Sequence, residues 1–246
     1  MRYLVLSDLH SNHEATRAVV GAVPPGGFEG VVVLGDWVGY GASPNEVVDL
    51  VRSLQPCAAI RGNHDKVVAG IDSGEEFNRI AREAALINRR LLSRENLGFL
   101  EALPRGPLRV ADSFHIAHGT PLDEDEYLVE AWEAAAVFEA AEFSLCFFGH
   151  THLPGAFVLR NGKVTLLQPE RPQAILNLEP GARYLINPGS VGQPRDQDPR
   201  AAYALYDAQS RQVVFQRVPY AVHETRSRML EAGLPAILGE RLQFGI

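Results

Sequence analysis

Five short segments of the chain carry histidine, aspartate or asparagine directly after an apolar run. These segments are Asp8-Leu9-His10, Gly35-Asp36, Arg61-Gly62-Asn63-His64-Asp65, His118-Gly119 and Gly149-His150-Thr151-His152. A pair of divalent cations about 3.5 to 4 Å apart requires a bridging carboxylate, neutral imidazoles and oxygen ligands, with positions left open for water and substrate. The five segments supply this set, and they predict a two-metal site with a catalytic histidine beside it.

Two of these segments place polar side chains two positions apart. On an extended strand end, side chains with this spacing point the same way, so Asp8 and His10 are expected to bind one ion. His150 and His152 repeat the spacing, and their imidazoles are expected to point into the same cavity or to bind two neighbouring ions, one each. Asp36, at the end of the adjacent strand, is well placed to bridge the two ions.

The remaining ligand candidates are Asn63, which offers a neutral carbonyl oxygen, and His118, which offers a further imidazole once His64 is set aside. A single Gly-Asn-His-Asp run would be compatible with an ordinary turn. The four other segments, each at the end of an apolar run, favour a shared metal site over a chance placement of turns.

The first three segments follow a repeated pattern of strand and helix. Residues 2 to 7, 30 to 34 and 57 to 60 are apolar runs of strand length. Helical spacing fills residues 12 to 23, and Ser43-Pro44 places a capping residue before a proline at the first position of a second helix. The reactive residues therefore stand at the C-terminal ends of strands, where open α/β sheets bind ligands.

The rest of the chain is predicted to alternate helices with short strands and then to become largely antiparallel. Two helices broken near Ser93 are predicted within residues 75 to 103, followed by a hairpin over 108 to 117 that turns around Asp112-Ser113. A helix within 123 to 141 and a strand at 145 to 148 come next, and then a hairpin of 156 to 160 with 163 to 167 around Asn161-Gly162. Strands are predicted near 175 to 178, 183 to 187, 202 to 207 and 212 to 218, and a helical segment from 222 to 240 is predicted to pack back on the sheet. This order predicts one α/β (α+β) domain over residues 1 to 246, a four-layer αββα sandwich of two mixed β-sheets flanked by helices.

The composition is that of an ordinary soluble protein, with 46% hydrophobic and 22% charged residues and no apolar stretch long enough to cross a membrane. The N-terminus resembles a first strand and not a signal peptide, so a cytoplasmic location is expected. Cys57 and Cys146 lack a second Cys or His at zinc-finger spacing and are expected to be buried. The net charge of −7 disfavours a general nucleic-acid coat but is compatible with a small phosphorylated substrate.

In this order, the five segments resemble the calcineurin-like metallophosphoesterase superfamily, and the resemblance covers residues 8 to 152. The runs Gly35-Asp-Trp-Val-Gly-Tyr-Gly and Asn187-Pro-Gly-Ser-Val-Gly-Gln-Pro-Arg-Asp are similar to those of its small bacterial and archaeal branch of phosphodiesterase-like and diadenosine-tetraphosphatase-related proteins. The resemblance implies a dinuclear, metal-dependent phosphoesterase. It leaves the metals open among Mn, Fe, Zn, Co and Ni, because carboxylate, imidazole and amide ligands suit all of them.

The resemblance also implies roles for individual residues. The implied ligands are Asp8, His10 and His152 for one metal and Asn63, His118 and His150 for the other, with Asp36 bridging. His64 is implied as the general acid or a phosphate-oxygen contact, with Asp65 orienting it. Such a centre lowers the pKa of a shared water to give an attacking hydroxide, while a protonated His64 donates to the leaving alkoxide.

The chain departs from its relatives in ways that leave the substrate open. Protein phosphatases and symmetrical dinucleoside-tetraphosphate hydrolases resemble this chain but read Gly-Asp-x-x-Asp-Arg-Gly at the second segment, whereas Gly35 to Gly41 contains no arginine, and Ser11 replaces a frequent glycine. A phosphodiesterase is favoured. A phosphomonoesterase or a dinucleoside-polyphosphate hydrolase is the enzymatic alternative, and a non-catalytic, metal-assembled scaffold is the alternative from another class.

Several charged residues near the segments have no assigned role. Arg61 and Lys66 are expected to be solvated, although either can meet phosphate oxygens. Arg195, within Gln-Pro-Arg-Asp, is a candidate for a position near the mouth of the site. His13 is expected to start a helix, with a substrate contact as the alternative.

The last expectations concern segments outside the ligand set. The acidic run Asp123-Glu-Asp-Glu126 is expected to be a solvated helix N-terminus. Asn187-Pro-Gly-Ser is expected to turn the chain close to the metals. His115 and His223 are expected to be structural or solvated residues without a part in the site.

Overall fold

A computed structural model describes residues 1–111, 113–170 and 172–246 of the chain. Within these ranges the strands are Arg2–Leu6 (β1), Gly30–Val33 (β2), Ala58–Ala59 (β3), Leu108–Val110 (β4), Phe114–Ile116 (β5), Leu145–Phe147 (β6), Gly155–Arg160 (β7), Lys163–Leu167 (β8), Gln173–Asn177 (β9), Arg183–Asn187 (β10), Ala201–Asp207 (β11) and Gln212–Val218 (β12). The helices are His13–Ala22 (α1), Pro44–Ser53 (α2), Asn63–Ala69 (α3), Arg79–Leu91 (α4), Arg94–Ala102 (α5), Ala131–Ala140 (α6), Val222–Glu231 (α7) and Ala236–Arg241 (α8).

Local sequence explains most of these boundaries. Ser43 and Pro44 begin α2 as predicted. Ser93 caps α5, where its hydroxyl accepts a hydrogen bond from the Asn96 backbone N–H, and this separates α5 from α4. Asn161 and Gly162 both have positive φ, the conformation that a tight hairpin turn requires between β7 and β8. The β4–β5 hairpin is also present, although Asp112 in its turn lies outside the described residues.

The strands form two mixed, six-stranded sheets. In the first sheet the order is β3-β2-β1-β11-β12-β9, with β1, β2 and β3 parallel and β11 antiparallel to β1. In the second sheet the order is β4-β5-β6-β10-β7-β8, with β5, β6 and β10 parallel. Each sheet therefore contributes three parallel strands to the molecule.

The two sheets pack face to face, and helices cover their outer sides. Val5 and Val32 of the first sheet share one buried cluster with Phe114, Phe147 and Ile186 of the second. A second buried cluster joins the first sheet to α1, α2, α3 and α5, and a third joins the second sheet to α6. The predicted four-layer αββα sandwich is confirmed.

The C-terminal helical segment differs from the prediction. It consists of α7 and α8, because Gly233 has a φ of 75° and Pro235 follows it. Met229 and Leu238 pack in one cluster with residues of α4, and α7 also contacts α1. The predicted helical character of residues 222 to 240 is confirmed, whereas the prediction that they pack back on the sheet is wrong, since these helices pack on other helices.

Two smaller expectations are also corrected. Cys57 is exposed, because it precedes β3 at the edge of the first sheet, whereas Cys146 is buried as predicted. Residues 123 to 126 form turns and not the start of a helix, and α6 begins only after Glu130. Among the described helices, none combines the length and the apolar character that crossing a membrane demands.

Candidate metal centre

The predicted ligands meet where the parallel strands of both sheets end. Asp8 and His10 follow β1, Asp36 follows β2, Asn63 follows β3, His118 follows β5, and His150 and His152 follow β6. All of them except the half-buried Asn63 are at most 4% exposed. The two sheets thus bring residues separated by more than a hundred positions into one buried cluster, which we call the strand-end cluster.

The cluster contains two groups of side chains that can each hold a metal ion, and both groups include Asp36. The first group is Asp8, His10, Asp36 and His152, and the second is Asp36, His118 and His150. Within each group the ligand atoms lie within 4.8 Å of one another. The Asn63 Oδ1 atom is 3.1 Å from the His118 Nε2 atom and so lies beside the second group.

Three of the imidazoles are held in one tautomer by backbone carbonyl oxygens. The Nδ1 atoms of His10, His118 and His152 lie 3.2, 2.9 and 2.6 Å from the carbonyl oxygens of Val38, Leu34 and Gln193. A carbonyl oxygen only accepts hydrogen bonds, so each Nδ1 carries the proton, and the Nε2 lone pair of a neutral ring points into the cluster. This is the arrangement that a metal-binding histidine requires.

The Nε2 atoms face the carboxylates at short range. The His10 and His118 Nε2 atoms each lie 3.5 Å from Asp36 Oδ2, and the His152 Nε2 atom lies 3.5 Å from Asp8 Oδ1. The Nε2 atoms of His10 and His152 are 3.1 Å apart. Two nitrogen atoms that both present lone pairs at this distance repel each other unless a proton or a cation lies between them.

Burial keeps most of these imidazoles neutral. It lowers the pKa of His10 and His152 well below the ordinary histidine value, and that of His150 to about 3. His118 is the exception, since the Asp36 carboxylate outweighs burial and raises its pKa to about 10. Burial would raise the pKa of Asp36, but the positive charge of His118 outweighs it and holds that pKa well below its usual range. A cation bound at Asp36 would take the place of the His118 proton.

Two atoms of the cluster have no hydrogen-bond partner among the described residues. They are Asp8 Oδ2 and His150 Nε2, and both are buried. A buried polar atom without a partner costs about 1–3 kcal/mol, and more when the group is charged. Burial also raises the pKa of Asp8 to about 6. Divalent cations bound by the two groups would satisfy both atoms, so the donor set fits a metal centre.

The backbone that carries the ligands is not extended. Asp8, His10, Asp36, His150 and His152 all have φ between 46° and 64°, the left-handed region that side chains other than glycine rarely adopt. The prediction that pairs two positions apart share a direction because they extend a strand is therefore wrong, since β1 ends at Leu6 and β6 at Phe147. The side chains are instead directed by tight turns, and strain of this kind concentrates at functional sites.

Backbone hydrogen bonds between neighbouring strand ends hold these turns. The N–H groups of Asp8 and His10 donate to the carbonyl oxygens of Gly35 and Asp36 at 3.1 and 3.0 Å. The loop after β10 adds a second support, as predicted for Asn187-Pro-Gly-Ser. The Ser190 hydroxyl donates to the Asp8 carbonyl oxygen at 2.9 Å, and the Asn187 side chain donates to the Gly149 carbonyl oxygen at 2.8 Å.

His64 lies beside the strand-end cluster and is 4% exposed. Its ring centroid is 4.9 Å from that of His10, 4.3 Å from that of Tyr40 and 4.6 Å from that of Phe77. Burial lowers the pKa of His64 to about 4. Its Nδ1 atom has no partner among the described residues.

The family resemblance implied that Asp65 orients the imidazole of His64, but the Asp65 carboxylate makes no hydrogen bond to that ring. Its two carboxylate oxygens accept hydrogen bonds from the backbone N–H groups of Val38 and Gly62, at 3.2 and 2.9 Å. A carboxylate at this position caps the helix N-terminus, and Asp65 is the third residue of α3. It therefore fixes the turn that carries Asn63 and His64, and its effect on His64 passes through the backbone.

Arg61, Lys66, Glu124 and Asp125 form an ion-pair network near the cluster, which we call the rim, and the exposed Arg105 adds a longer contact of 3.7 Å to Glu124. Arg61 donates to both carboxylate oxygens of Glu124, at 3.2 and 3.1 Å, and Lys66 Nζ lies 3.3 Å from Glu124 and 2.5 Å from Asp125. The expectation that Arg61 and Lys66 are solvated is wrong, because both are paired with Glu124 and Lys66 is only 6% exposed. In the acidic run, Asp123, Asp125 and Glu126 are exposed as expected, whereas Glu124 is only 6% exposed.

A cavity of about 220 Å³ opens beside the cluster, and the sequence did not indicate its aromatic lining. Tyr40, Phe77 and Tyr127 line it together with His64 and His150. The Tyr127 ring lies 3.9 Å from that of His150, between centroids. Of these aromatic residues, only Tyr40 carried a signal, since it belongs to the run from Gly35 to Gly41.

The remaining candidates lie at different distances from the cluster. The Arg195 guanidinium is 5.9 Å from the ring centroid of Tyr40, which lines the cavity. His13 begins α1, as expected, and His223 is exposed on α7. His115 pairs with Arg109 across the β4–β5 hairpin.

Comparisons with known proteins agree with this geometry. Residues 1–211 match the Calcineurin-like phosphoesterase superfamily domain. An uncharacterized protein of Methanocaldococcus jannaschii is 36% identical, over 98% of this chain and 97% of its own length. The crystal structure of a metallophosphoesterase from Sphaerobacter thermophilus has a TM-score of 0.87 and 39% identity, and covers 100% of this chain and 99% of that one.

A hypothetical protein from Pyrococcus horikoshii OT3 has a TM-score of 0.78 over 100% of this chain and 98% of its own, at 19% identity, which bears on the fold alone. The match over residues 1–211 and the identity to the M. jannaschii protein along nearly its whole length are together decisive. The chain belongs to the calcineurin-like phosphoesterase superfamily.

Proposed function

We propose that this member of the calcineurin-like phosphoesterase superfamily hydrolyses phosphodiester bonds at a centre of two divalent metal ions. The observation that carries the proposal is the pair of ligand groups that share the Asp36 carboxylate. The partnerless atoms Asp8 Oδ2 and His150 Nε2, one in each group, support it. A metal-assembled scaffold would also have such ligand atoms, but His64, which lines the cavity beside the cluster, favours an enzyme.

The ligand assignment follows the two groups. Asp8, His10 and His152 are proposed to hold one ion and Asn63, His118 and His150 the other, with Asp36 shared between them. When bound, divalent cations lower the pKa of water and neutralise the charge of phosphate oxygens. The identity of the ions is open among Mn, Fe, Zn, Co and Ni.

His64 is proposed as the general acid that donates a proton to the leaving alkoxide. It lines the cavity together with Asn63 and His150, so it faces the position of a phosphate bound at the cluster. Burial lowers its pKa to about 4, and a bound phosphate would raise that pKa because an opposite charge nearby favours the protonated ring. Asp65 serves this step by holding the turn of α3.

The proposal is tested by assaying purified protein, loaded separately with Mn²⁺, Fe²⁺, Zn²⁺, Co²⁺ and Ni²⁺, on bis(p-nitrophenyl) phosphate and on p-nitrophenyl phosphate. These probes are a diester and a monoester with one leaving group. We expect faster hydrolysis of the diester. Faster hydrolysis of the monoester would make the protein a phosphomonoesterase, and no hydrolysis of either probe with any metal would overturn the phosphoesterase assignment.

The test variant is Asp36→Asn, in the shared ligand. Its matched control is Asp207→Asn, at the end of β11 beside Arg2. Because even partners outside the ligand shell of a metal usually contribute about 10-fold to 100-fold, loss of the shared carboxylate is expected to reduce kcat/KM by at least about 100-fold. Bound metal, measured by mass spectrometry, is expected to fall in Asp36→Asn alone. Unchanged metal content and activity in that variant would remove Asp36 from the centre.

A further inference from the structure

Three aromatic rings line the cavity beside the strand-end cluster, and neither the proposed metal ligands nor the proposed general acid accounts for them. They are the rings of Tyr40, Phe77 and Tyr127. Tyr40 is buried and Phe77 is half-buried, whereas Tyr127 is 52% exposed. A large ring that remains exposed beside a buried site offers apolar surface to a ligand, because covering it removes that surface from water.

The three rings come from both halves of the molecule and pack on the two histidines of the cavity. Tyr127 lies between β5 and α6, and its ring centroid is 3.9 Å from that of His150, with the ring planes 39° apart. Tyr40 follows β2 and Phe77 precedes α4, and their centroids are 4.3 and 4.6 Å from that of His64. The cavity thus opens between an aromatic wall on the first-sheet side and another on the second-sheet side.

The size and position of the cavity suit one ring system attached to a phosphate. Its volume of about 220 Å³ is below the range of about 300–1,000 Å³ for pockets that enclose a whole small-molecule ligand. Asn63, His64 and His150 of the site line it together with the aromatic rings. A phosphate bound at the strand-end cluster would therefore lie at one side of the cavity, and a planar substituent of that phosphate would lie against the rings.

The charges of the cavity disfavour a second phosphate in it. Lys66 is the only Lys or Arg among the described residues that line it, and Lys66 is already paired with Glu124 and Asp125. The carboxylates of Asp72 and Glu76 also line the cavity, and neither forms an ion pair with a described residue. Carboxylate oxygens repel phosphate and accept hydrogen bonds from the N–H groups of a heterocycle. The cavity therefore suits an uncharged, nitrogen-containing ring.

We propose that Tyr40, Phe77 and Tyr127 form a ring subsite, which binds a planar heteroaromatic group of nucleobase type carried by the phosphodiester that is hydrolysed. Bases of every kind stack on aromatic side chains, because each has a π-face. The inference rests on the proposed function, since that function places the phosphate at the cluster. The substrate class is then a nucleoside phosphodiester. A dinucleoside polyphosphate is disfavoured, because its additional phosphates would meet Asp72 and Glu76.

The test compares thymidylyl-thymidine with the analogue in which abasic tetrahydrofuran residues replace both nucleosides. Both diesters have the same kind of phosphate linkage and alkoxide leaving group, and they differ in the bases. Wild-type protein, loaded with the metal that gives the highest activity, is expected to have a kcat/KM about 5-fold to 150-fold higher for thymidylyl-thymidine. This range corresponds to the stacking of one base on aromatic side chains.

Variants of the two aromatic walls test the subsite directly. Tyr127→Leu and Phe77→Leu each remove a ring but keep an apolar side chain, and each is expected to reduce the preference for thymidylyl-thymidine by at least about 5-fold. Tyr127→Phe retains the ring and is expected to retain the preference. Trp132→Leu is the matched control, because Trp132 is 72% exposed in the first turn of α6 and does not line the cavity.

Each outcome decides between the ring subsite and its alternatives. An equal fall of kcat/KM for both diesters in Tyr127→Leu would overturn the subsite and assign Tyr127 to the support of His150. A wild-type ratio near one would overturn it as well, and loss of the preference in Tyr127→Phe would replace stacking by a hydrogen bond from the hydroxyl. If circular dichroism and metal content show that one leucine variant fails to fold, the other leucine variant decides.

Binding separates this inference from the proposed function. By titration calorimetry, metal-loaded wild-type protein is expected to bind thymidine 5′-monophosphate at least about 5-fold more tightly than 2-deoxyribose 5-phosphate, and Tyr127→Leu is expected to lose that preference. If the wild type hydrolyses neither diester but shows the binding preference, the proposed function fails and the ring subsite stands. If it hydrolyses both diesters equally and binds both monophosphates equally, the ring subsite fails and the proposed function stands.

Discussion

The strand-end cluster and the rim lie next to each other, and both are built from charged and titratable side chains. In the rim, Arg61 and Lys66 are both paired with the carboxylate of Glu124. In the cluster, Asp8 Oδ2 and His150 Nε2 have no partner among the described residues. The rim is therefore electrostatically complete in the protein alone. The cluster has partnerless atoms that bound cations would satisfy, so the rim is expected to contribute to stability and the cluster to chemistry.

The two regions also differ in their backbone. The ligands of the cluster stand on left-handed turns held by hydrogen bonds between strand ends, whereas Lys66 of the rim stands on α3 and Glu124 on a turn stabilised by Thr120. Strain in the cluster is maintained by the surrounding sheets. Changes that disturb the turns should therefore affect activity and stability together, and changes in the rim should affect stability alone.

The largest expected effect tests the role of His64, beside the strand-end cluster, as the general acid. His64→Ala is expected to reduce kcat by about 100-fold to 10,000-fold on a diester with an alkoxide leaving group, the usual contribution of a general acid. The loss should be smaller for p-nitrophenolate, which departs without a proton. The measurement is kcat for thymidylyl-thymidine and for thymidine 5′-(p-nitrophenyl phosphate), with metal content determined in parallel.

His223→Ala, on the exposed face of α7, is the control for this variant. An equal loss on both substrates in His64→Ala would indicate that His64 contacts the phosphate and does not donate the proton. A loss of bound metal would place His64 among the positioning residues of the cluster.

Much of the cluster could be predicted from the sequence, because each ligand directly follows an apolar run and its chemistry is distinct. The conformation of those ligands could not be predicted. Aspartate and histidine are enriched among non-glycine residues with positive φ, but few residues of either type adopt it. The φ values of Asp8 and His10 depend on hydrogen bonds to Gly35 and Asp36, which belong to another strand end.

The rim could not be predicted for a related reason. The acidic run from Asp123 has the composition of a helix start, but the Asp123 N–H donates to the Thr120 hydroxyl at 3.0 Å and the Thr120 N–H to the Asp123 carbonyl oxygen at 2.7 Å. This local turn competes with the helix. Glu124 then meets Arg61, a contact that depends on how the two sheets pack. Pairings of this kind leave no local pattern in a sequence.

The second prediction tests the packing of the cluster. A Cβ atom at Gly62 would lie 2.2 Å from Asp36 Oδ1 and 2.5 Å from the Asp36 backbone nitrogen. Gly62→Ala is therefore expected to displace the shared carboxylate, to weaken metal binding and to lower the free energy of unfolding by about 1–3 kcal/mol. Urea denaturation and titration with Mn²⁺ measure the two effects.

The control for Gly62→Ala is Gly98→Ala, on the exposed face of α5, where an added Cβ meets no heavy atom within 4 Å. Gly98→Ala is expected to raise the free energy of unfolding by about 0.5–1 kcal/mol, because alanine favours a helix interior over glycine. Unchanged metal affinity in Gly62→Ala would show that the cluster accommodates the methyl group, contrary to the close packing inferred here.

The smallest expected effect tests the rim. Glu124→Gln retains the shape of the side chain but leaves Arg61 and Lys66 without a full counter-charge, so the free energy of unfolding at pH 7 is expected to fall by about 1–2 kcal/mol. Metal affinity should not change. Glu95→Gln is the control, since Glu95 is 78% exposed beside Arg52 and its loss is expected to cost less than about 0.5 kcal/mol.

The pH dependence of the stability difference between the wild-type and Glu124→Gln proteins identifies the origin of that difference. Burial favours the neutral form of Glu124, but the hydrogen bonds from Arg61 outweigh it, and the pKa of Glu124 is lowered in the folded protein. The stabilisation is thus complete above the unfolded value of about 4.3 and is lost as the pH falls through the folded pKa. The wild-type and Glu124→Gln proteins should therefore converge in stability in acid, as followed by urea denaturation between pH 7 and pH 3. A constant difference over that range would show that packing, and not charge, makes the rim stable.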